Sequence, residues 1–187
     1  MPNDENNLIL ILQGCLNDDR NSQRRLYEQF YGYAMNICLR YSKNREEAVE
    51  ILNDAFLKIF QNLGKYNPEY PFKGWLRRIL INSAIDYYRK NNKSPDYQEL
   101  TPANLPESEE MPLPKLTGEE DLLPVLWKLS PAYRIVFNLF VMEDYTHREI
   151  AEMLGIDVRT SRSNLVRAKE NIRALMQKKS FKPVNLN

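Results

Sequence analysis

Several residue types are scarce in this chain, and each scarcity removes a class of function. Only two of its 187 residues are cysteine, Cys15 and Cys38. That is too few for a disulfide framework, and they lack metal-ligand spacing, so a reducing compartment is expected. The single histidine, His147, falls in the first turn of a predicted helix beside Arg148 and reads as a surface residue, neither base nor ligand. The six glycines are scattered, so no phosphate-cradling loop can be drawn. No serine or cysteine has a base partner in sequence, and the expectation is a chain with no catalytic residue, cofactor or metal.

Long apolar runs are missing too. The stretch Leu8 to Leu12 is too short for a signal core or a membrane span. Leu12-Gln13-Gly14-Cys15 loosely resembles a lipoprotein cleavage site, but Asp4 and Glu5 stand where a signal would be basic. Leu8, Ile11 and Leu12 instead suit the start of a short amphipathic helix, and a cytoplasmic location is predicted.

The formal net charge of +1 also looks like an absence, until it is divided along the chain. From Phe72 to Lys93 the cations Lys73, Arg77, Arg78, Arg89, Lys90 and Lys93 face Asp86 alone. From Asp96 to Asp121 the acids dominate, including Glu107, Glu109 and Glu110 against the lone Lys115. From Val158 onward Arg159, Arg162, Arg167, Lys169, Arg173, Lys178, Lys179 and Lys182 face only Glu170. Two basic blocks separated by an acidic one average to nothing.

The apolar pattern is helical throughout, which predicts an all-α fold of two small domains. Between Ser22 and Tyr41 the positions Leu26, Phe30, Ala34, Ile37 and Tyr41 share a stripe, flanked by Tyr27, Tyr31 and Cys38. Asn44 can cap a following helix, with Glu47 at its third position and Gly64 at its end. Its core face is Ala48, Leu52, Ala55, Phe56, Ile59 and Leu63. Another helix is expected from about Phe72 to Arg89, burying Leu76, Ile79, Leu80 and Ser83, with Tyr87 open to either the core or the surface. The first domain is therefore placed at 8–92. Pro95, Pro102, Pro106, Pro112 and Pro114 break any continuous helix beyond it, and the acidic surplus opposes compaction, so 93–121 reads as an extended linker. The second domain, 122–179, reopens with Ser130-Pro131, a capping residue followed by proline at the first helical position.

Three stretches carry the functional reading. The first runs from Tyr145 to Leu165 and reads as a helix-turn-helix. Thr146 and Glu149 can form a capping box, Ile150, Ala151 and Leu154 share one face, Gly155 suits the turn, and Asp157 can cap the second helix. That helix opens with short polar and basic side chains, as suits insertion into a major groove. The second interleaves Tyr66, Tyr70, Phe72, Trp75, Tyr87 and Tyr88 with Lys73, Arg77, Arg78, Arg89 and Lys90, with Asn82 and Ser83 adding short hydrogen-bonding groups. Aromatic faces stack on unpaired bases while cations follow the backbone, although Phe72 and Trp75 could equally be core. In the third, Leu57 and Phe60 lie off the core face of their helix beside Asp54, Lys58 and Gln61, which leaves either a docking ridge or a surface covered by a neighbouring helix.

In that order Arg25-Leu26-Tyr27, Asn53 to Phe60 and Phe72 to Asn82 resemble the N-terminal domain of extracytoplasmic-function sigma factors of the sigma-70 family. Leu129-Ser130-Pro131 and the helix-turn-helix resemble the family's C-terminal, fourth-region domain. The resemblance spans nearly the whole chain outside the linker and ends. It implies an alternative sigma factor whose partners are core RNA polymerase, promoter DNA and a cognate anti-sigma factor, with no small-molecule substrate. By the same resemblance Asp54, Phe56, Leu57 and Phe60 dock on polymerase; Lys73, Trp75, Arg77, Arg78, Asn82, Tyr87, Tyr88 and Arg89 capture the −10 element. Arg159, Thr160, Ser161, Arg162, Ser163, Asn164 and Arg167 read the −35 element. The linker would thread polymerase channels otherwise used by RNA, where its acids present negative charge. Two departures from many relatives stand in the reading helix: Arg159 in place of glycine and Ser161 in place of valine. The alternative reading is a free-standing helix-turn-helix regulator that binds duplex DNA as a dimer.

Overall fold

A computed structural model describes the backbone of residues 2–91 and 119–180, with side chains over 6–91 and 122–177. Most of the predicted linker, up to residue 118, and with it Glu107, Glu109 and Glu110, lies outside the described residues. The chain divides into two compact units: residues 1–39 with 44–87, and 88–187 with 40–43. Every regular element among the described residues is helical.

The first unit is built on α1 (Pro2–Leu16), α2 (Arg20–Tyr41), α3 (Arg45–Asn62) and α4 (Phe72–Asn91). The turn between α1 and α2 passes through Asp18 at a φ of 57°, a left-handed geometry that aspartate tolerates. Asp19, which the periodicity did not single out, starts α2 by accepting from the Ser22 amide at 2.9 Å and the Ser22 hydroxyl at 2.6 Å. These bonds hold its carboxyl below the usual range. Gly14 is required here, since a Cβ at this position would stand 2.0 Å from Ser22 Oγ. Asn44 caps α3 as its sequence predicted, accepting from the Glu47 amide at 2.9 Å. Gly64 does not end α3 with a left-handed turn; the helix tightens into a 3-10 turn at Leu63–Lys65 instead, closed by the Tyr66 amide donating to Leu63 O at 3.0 Å.

The core of this unit follows the predicted stripes. Leu26, Phe30, Ala34, Ile37 and Cys38 of α2 are buried, as are Ala48, Leu52, Ala55, Phe56, Ile59 and Leu63 of α3 and the adjoining turn. Leu76, Leu80, Ser83, Ala84 and Ile85 bring α4 into the same core. Tyr27, Tyr31 and Tyr41 are only half-buried. Burial pushes the Cys15 thiol up to about 11, with Asp19 adding to it, and the Cys38 thiol up to about 12.

The second unit contains α5 (Glu119–Leu126), α6 (Pro131–Phe137), α7 (His147–Leu154) and α8 (Val158–Ser180). α5 begins three residues before the point at which the apolar pattern resumes at Leu122. Ser130 caps α6, accepting from the Tyr133 amide at 3.4 Å with Pro131 just inside the helix. The helix predicted to run on to Met142 does continue, but as a π-turn over Asn138–Met142 closed by the Glu143 amide on Asn138 O at 3.1 Å. Arg134 is the buried polar centre of this unit. Its Nε donates to Leu126 O at 2.9 Å, which also accepts from the Leu129 amide at 3.1 Å, and its Nη2 donates to Leu129 O at 2.8 Å, so the guanidinium fastens the turn that follows α5.

Candidate nucleic-acid interface

The helix-turn-helix is assembled from polar fastenings at each corner. Thr146 and Glu149 close a full capping box: the Thr146 amide donates to Glu149 Oε2 at 2.8 Å, and the Glu149 amide donates to Thr146 Oγ1 at 3.3 Å. The same bonds hold the Glu149 carboxyl below its usual range. α7 then stops at Gly155, whose φ of 67° lies in the left-handed region, with the Ile156 amide returning to Ala151 O at 3.0 Å. Asp157 starts α8 by accepting from the Arg159 amide at 2.7 Å. Ile150, Ala151 and Leu154 of α7 and Leu165, Ala168 and Ile172 of α8 are buried.

On α8 the predicted reading residues separate by exposure. Arg159 and Arg162 are exposed, while Thr160, Ser163 and Arg167 are half-buried. Ser163 Oγ donates to Thr160 O at 3.0 Å, and Arg167 lies 3.6 Å from Glu170, an exposed pairing of small energetic weight. Ser161 and Asn164 are corrected by the structure. Ser161 is 0% exposed and Asn164 5%, so both face inward and neither side chain can meet a base edge. His147 is corrected as well. It is buried, its ring stacked on Phe140 with centroids 4.4 Å apart, and its Nδ1 is hydrogen-bonded to Ser161 Oγ at 2.9 Å. Composition alone had no way to find this, because the partner lies fourteen positions on, in the next helix.

The second basic block forms one face of α4. Arg78, Asn82 and Asp86 recur every four residues on an exposed line, flanked by exposed Lys73 and half-buried Arg77. Asp86, the one acid of α4, is paired with Lys58 of α3 at 2.7 Å, which offsets its charge beside the cations. At the start of the helix the aromatic side chains divide. Phe72 is buried, 5.1 Å from Phe30 and edge-on to Tyr66 at 5.3 Å. Trp75 is half-buried, resting on Phe72 at 5.6 Å and Tyr66 at 5.5 Å, with the rest of its ring open. Tyr66 in turn donates to Tyr70 O at 2.6 Å, bracing the loop behind it, and Lys73 Nζ sits 5.8 Å from the centre of the Tyr33 ring.

Tyr87 is half-buried, and burial, then Glu47 and Glu50, push its phenol up to about 12. Ser83 is buried in the core as its helical stripe predicted, so of the two short polar groups Asn82 is the one on the exposed line. Tyr88 is half-buried and Arg89 exposed near the end of the helix.

The proposed ridge on α3 is also resolved residue by residue. Asp54 is exposed, Leu57 is 59% exposed and Phe60 is half-buried. Phe56 is 3% exposed, packed 4.6 Å from Tyr27 and 6.0 Å from Phe60, so it supports the ridge from beneath and cannot itself touch a partner. Leu57 is therefore a large apolar side chain left outside the core, next to an acid, on a helix whose core face is already filled.

Two family models match the chain: sigma-70 region 2 over residues 26–94 and sigma-70 region 4 over residues 120–172. Among curated proteins, the ECF RNA polymerase sigma factor SigW of Bacillus subtilis is 30% identical, the match covering 73% of this chain and 79% of that protein. The RNA polymerase sigma factor YlaC of the same organism is 27% identical over 85% of this chain and 94% of its own length. The ECF RNA polymerase sigma factor SigE of Mycolicibacterium smegmatis is 28% identical, and the match spans 62% of that longer relative.

Proposed function

The chain belongs to the extracytoplasmic-function group of sigma-70 family RNA polymerase sigma factors and is an alternative sigma factor; from that premise we propose how its surfaces divide the work. The α3 ridge of Asp54, Leu57 and Phe60 docks on core RNA polymerase. The exposed line of α4, with Lys73, Arg77, Arg78 and Asn82 beside the open part of Trp75, holds the melted −10 strand. The N-terminal half of α8, led by Arg159, Thr160, Arg162 and Ser163, enters the major groove of the −35 element. Lys169 and Arg173 continue the basic surface toward the phosphates.

The observation that carries this reading is the pairing of two unlike basic faces on one chain. α8 offers short side chains between arginines, which suits a groove that stays paired. α4 offers a half-open indole among cations, which suits bases that have come apart. A regulator of duplex DNA alone has use for the first and none for the second. The chain does no bond chemistry; it acts in the cytoplasm by positioning polymerase and stabilising the separated strands.

The test is reconstitution of the chain with core polymerase, followed by run-off transcription on genomic fragments and permanganate footprinting of the start region. Chain-dependent transcripts and reactive thymines upstream of the start are expected. A chain that leaves core polymerase unchanged and binds a palindromic duplex by itself would instead support the free-standing regulator.

A further inference from the structure

The helix-turn-helix carries a buried polar contact in a largely apolar setting. Most of the buried groups of α7 and α8 are apolar: Ile150, Ala151 and Leu154 on α7, Leu165, Ala168 and Ile172 on α8. Apolar burial fixes how close two helices lie, but it is non-directional, so it resists rotation of a helix about its own axis only weakly. A hydrogen bond has a preferred length and angle and does resist such rotation. His147 and Ser161 provide that bond at 2.9 Å, across fourteen positions, where the first turn of α7 meets the first turn of α8.

We propose that the His147–Ser161 pair is a specificity-determining positioning device, which sets the rotation of α8 and thereby the aim of Arg159 and Arg162 into the groove. This rests on the reading of α8 as the −35 reader. Neither side chain touches DNA: Ser161 is fully buried and His147 nearly so. Ser161 sits between Thr160 and Arg162 in sequence, so its anchorage is transmitted directly to the exposed residues on either side. The ring of His147 is itself held, stacked on Phe140 at 4.4 Å with 22° between the planes. The π-turn that carries Phe140 is thus the far end of a chain of contacts, Phe140 to His147 to Ser161, that ends at the reading helix.

Geometry sets the size of the effect. With Cα atoms about 2.3 Å from a helix axis, a slip of about 1 Å at Ser161 is a rotation of roughly 25°. Side-chain ends about 5–6 Å from the axis would then swing by roughly 2.4 Å. That displacement is enough to break a bidentate contact to a base edge while leaving looser phosphate contacts in place. Loss of the pair should accordingly flatten base preference more than it lowers overall affinity.

The experiment uses the full chain assembled with core polymerase and a promoter library randomised across the upstream element. Ser161→Ala removes the hydroxyl alone. His147→Phe keeps a ring on Phe140 but loses Nδ1, whereas His147→Asn keeps a polar atom at the Nδ1 position without the ring. Ser161→Ala and His147→Phe should each reduce discrimination at one or two base pairs about tenfold, with non-specific affinity and its salt slope unchanged, and His147→Asn should retain most of the preference. Because the chain has one histidine, its imidazole nitrogen signals are unambiguous, and Ser161→Ala should shift Nδ1. Thermal unfolding of each variant reports folding separately. Wild-type preference preserved in Ser161→Ala and His147→Phe, or a uniform loss on every sequence, overturns the proposal. A wild-type chain that selects no upstream motif removes the reading of α8 itself, and the inference with it.

Discussion

In the first unit, α4 is oriented by what it buries: Phe72, Leu76, Leu80 and Ile85 enter an apolar and aromatic core, and its basic line is whatever remains outside. In the second unit, α8 is oriented by directional polar contacts, from the capping box of α7 through Gly155 and Asp157 to the His147–Ser161 bond. The difference fits the two targets proposed for these helices. A melted strand is flexible and adapts to a stacking surface, so α4 needs an open aromatic face more than an exact angle. A paired groove is rigid, and a helix that reads it must arrive at a fixed rotation. Tolerance on one side and exactness on the other are written into the kind of force that holds each helix.

The strongest way to sharpen this contrast is to remove a polar centre from the second unit alone. Arg134 is 3% exposed and donates to Leu126 O and Leu129 O; Leu126 O also accepts from the Leu129 amide at 3.1 Å, so Arg134→Ala takes the guanidinium donor chiefly from Leu129 O and is expected to cost about 3 kcal/mol. The two tryptophans fall one in each unit, Trp75 in the first and Trp127 in the second. Denaturant unfolding of Arg134→Ala in Trp75→Phe and Trp127→Phe backgrounds therefore reads the units separately. The Trp127 transition should move to lower denaturant while the Trp75 transition stays. Unchanged stability of the second unit would mean that its polar centre is incidental.

A functional counterpart acts on α4. Trp75→Ala removes the open stacking face and should cost about 1–3 kcal/mol of strand-separation energy, roughly five- to 150-fold in the melted population. Permanganate reactivity at the start region should fall, while binding of the same holoenzyme to the upstream duplex stays within twofold. An equal loss of upstream binding would break the division of labour between the two units.

Gly14→Ala tests the opposite claim, that the first unit depends on close packing. Alanine favours a helix over glycine by about 1 kcal/mol, so local propensity predicts stabilisation. The new Cβ would meet Ser22 Oγ at 2.0 Å and Ser22 Cβ at 2.6 Å, and relief of that clash disturbs the Asp19 cap as well. Overpacking of this kind costs about 1–3 kcal/mol, so a net loss of up to about 2 kcal/mol is expected in the Trp75 transition. A stabilised variant would show that α1 and α2 have room to part.

How much of this was legible in the sequence depended on the range of the forces involved. The capping box at Thr146 and Glu149, the left-handed Gly155, and the Asn44 and Ser130 caps are local, and each could be read from neighbours within three or four positions. The apolar stripes were legible too, because a period of 3.6 survives without any knowledge of the partner helix. The exposure of the candidate site residues was not legible position by position. Ser161, Asn164 and Phe56 sit among exposed residues in sequence, and only the packing of a second helix turns them inward. His147 and Arg134 escaped for the same reason in a sharper form. A polar residue on a helix looks like surface until the group that satisfies it is seen, and those groups lie five to fourteen positions away.

The smallest expected effect concerns acid, and it tests whether the first unit is as free of polar fastenings as the contrast suggests. Glu149 in the second unit and Asp19 in the first both have carboxyls held below their ordinary values by capping bonds. A group whose pKa is lowered on folding contributes stability that is complete above its unfolded value. That stability is lost as pH falls through the folded value. Each unit should therefore soften below the ordinary values of 4.5 for Glu149 and 3.8 for Asp19. Glu149→Gln should flatten the acid limb of the Trp127 transition only, since glutamine can still accept from the Thr146 amide but no longer titrates. Asp19→Asn should flatten the acid limb of the Trp75 transition only. Both carboxylates are fully exposed, so solvent screening keeps the change to a shift of the melting curve between about pH 3 and 5, with none at neutrality. If Asp19→Asn proves the larger of the two, the first unit leans on the Asp19 cap more than α8 leans on its capping box, and the contrast between the units narrows to the His147–Ser161 bond alone.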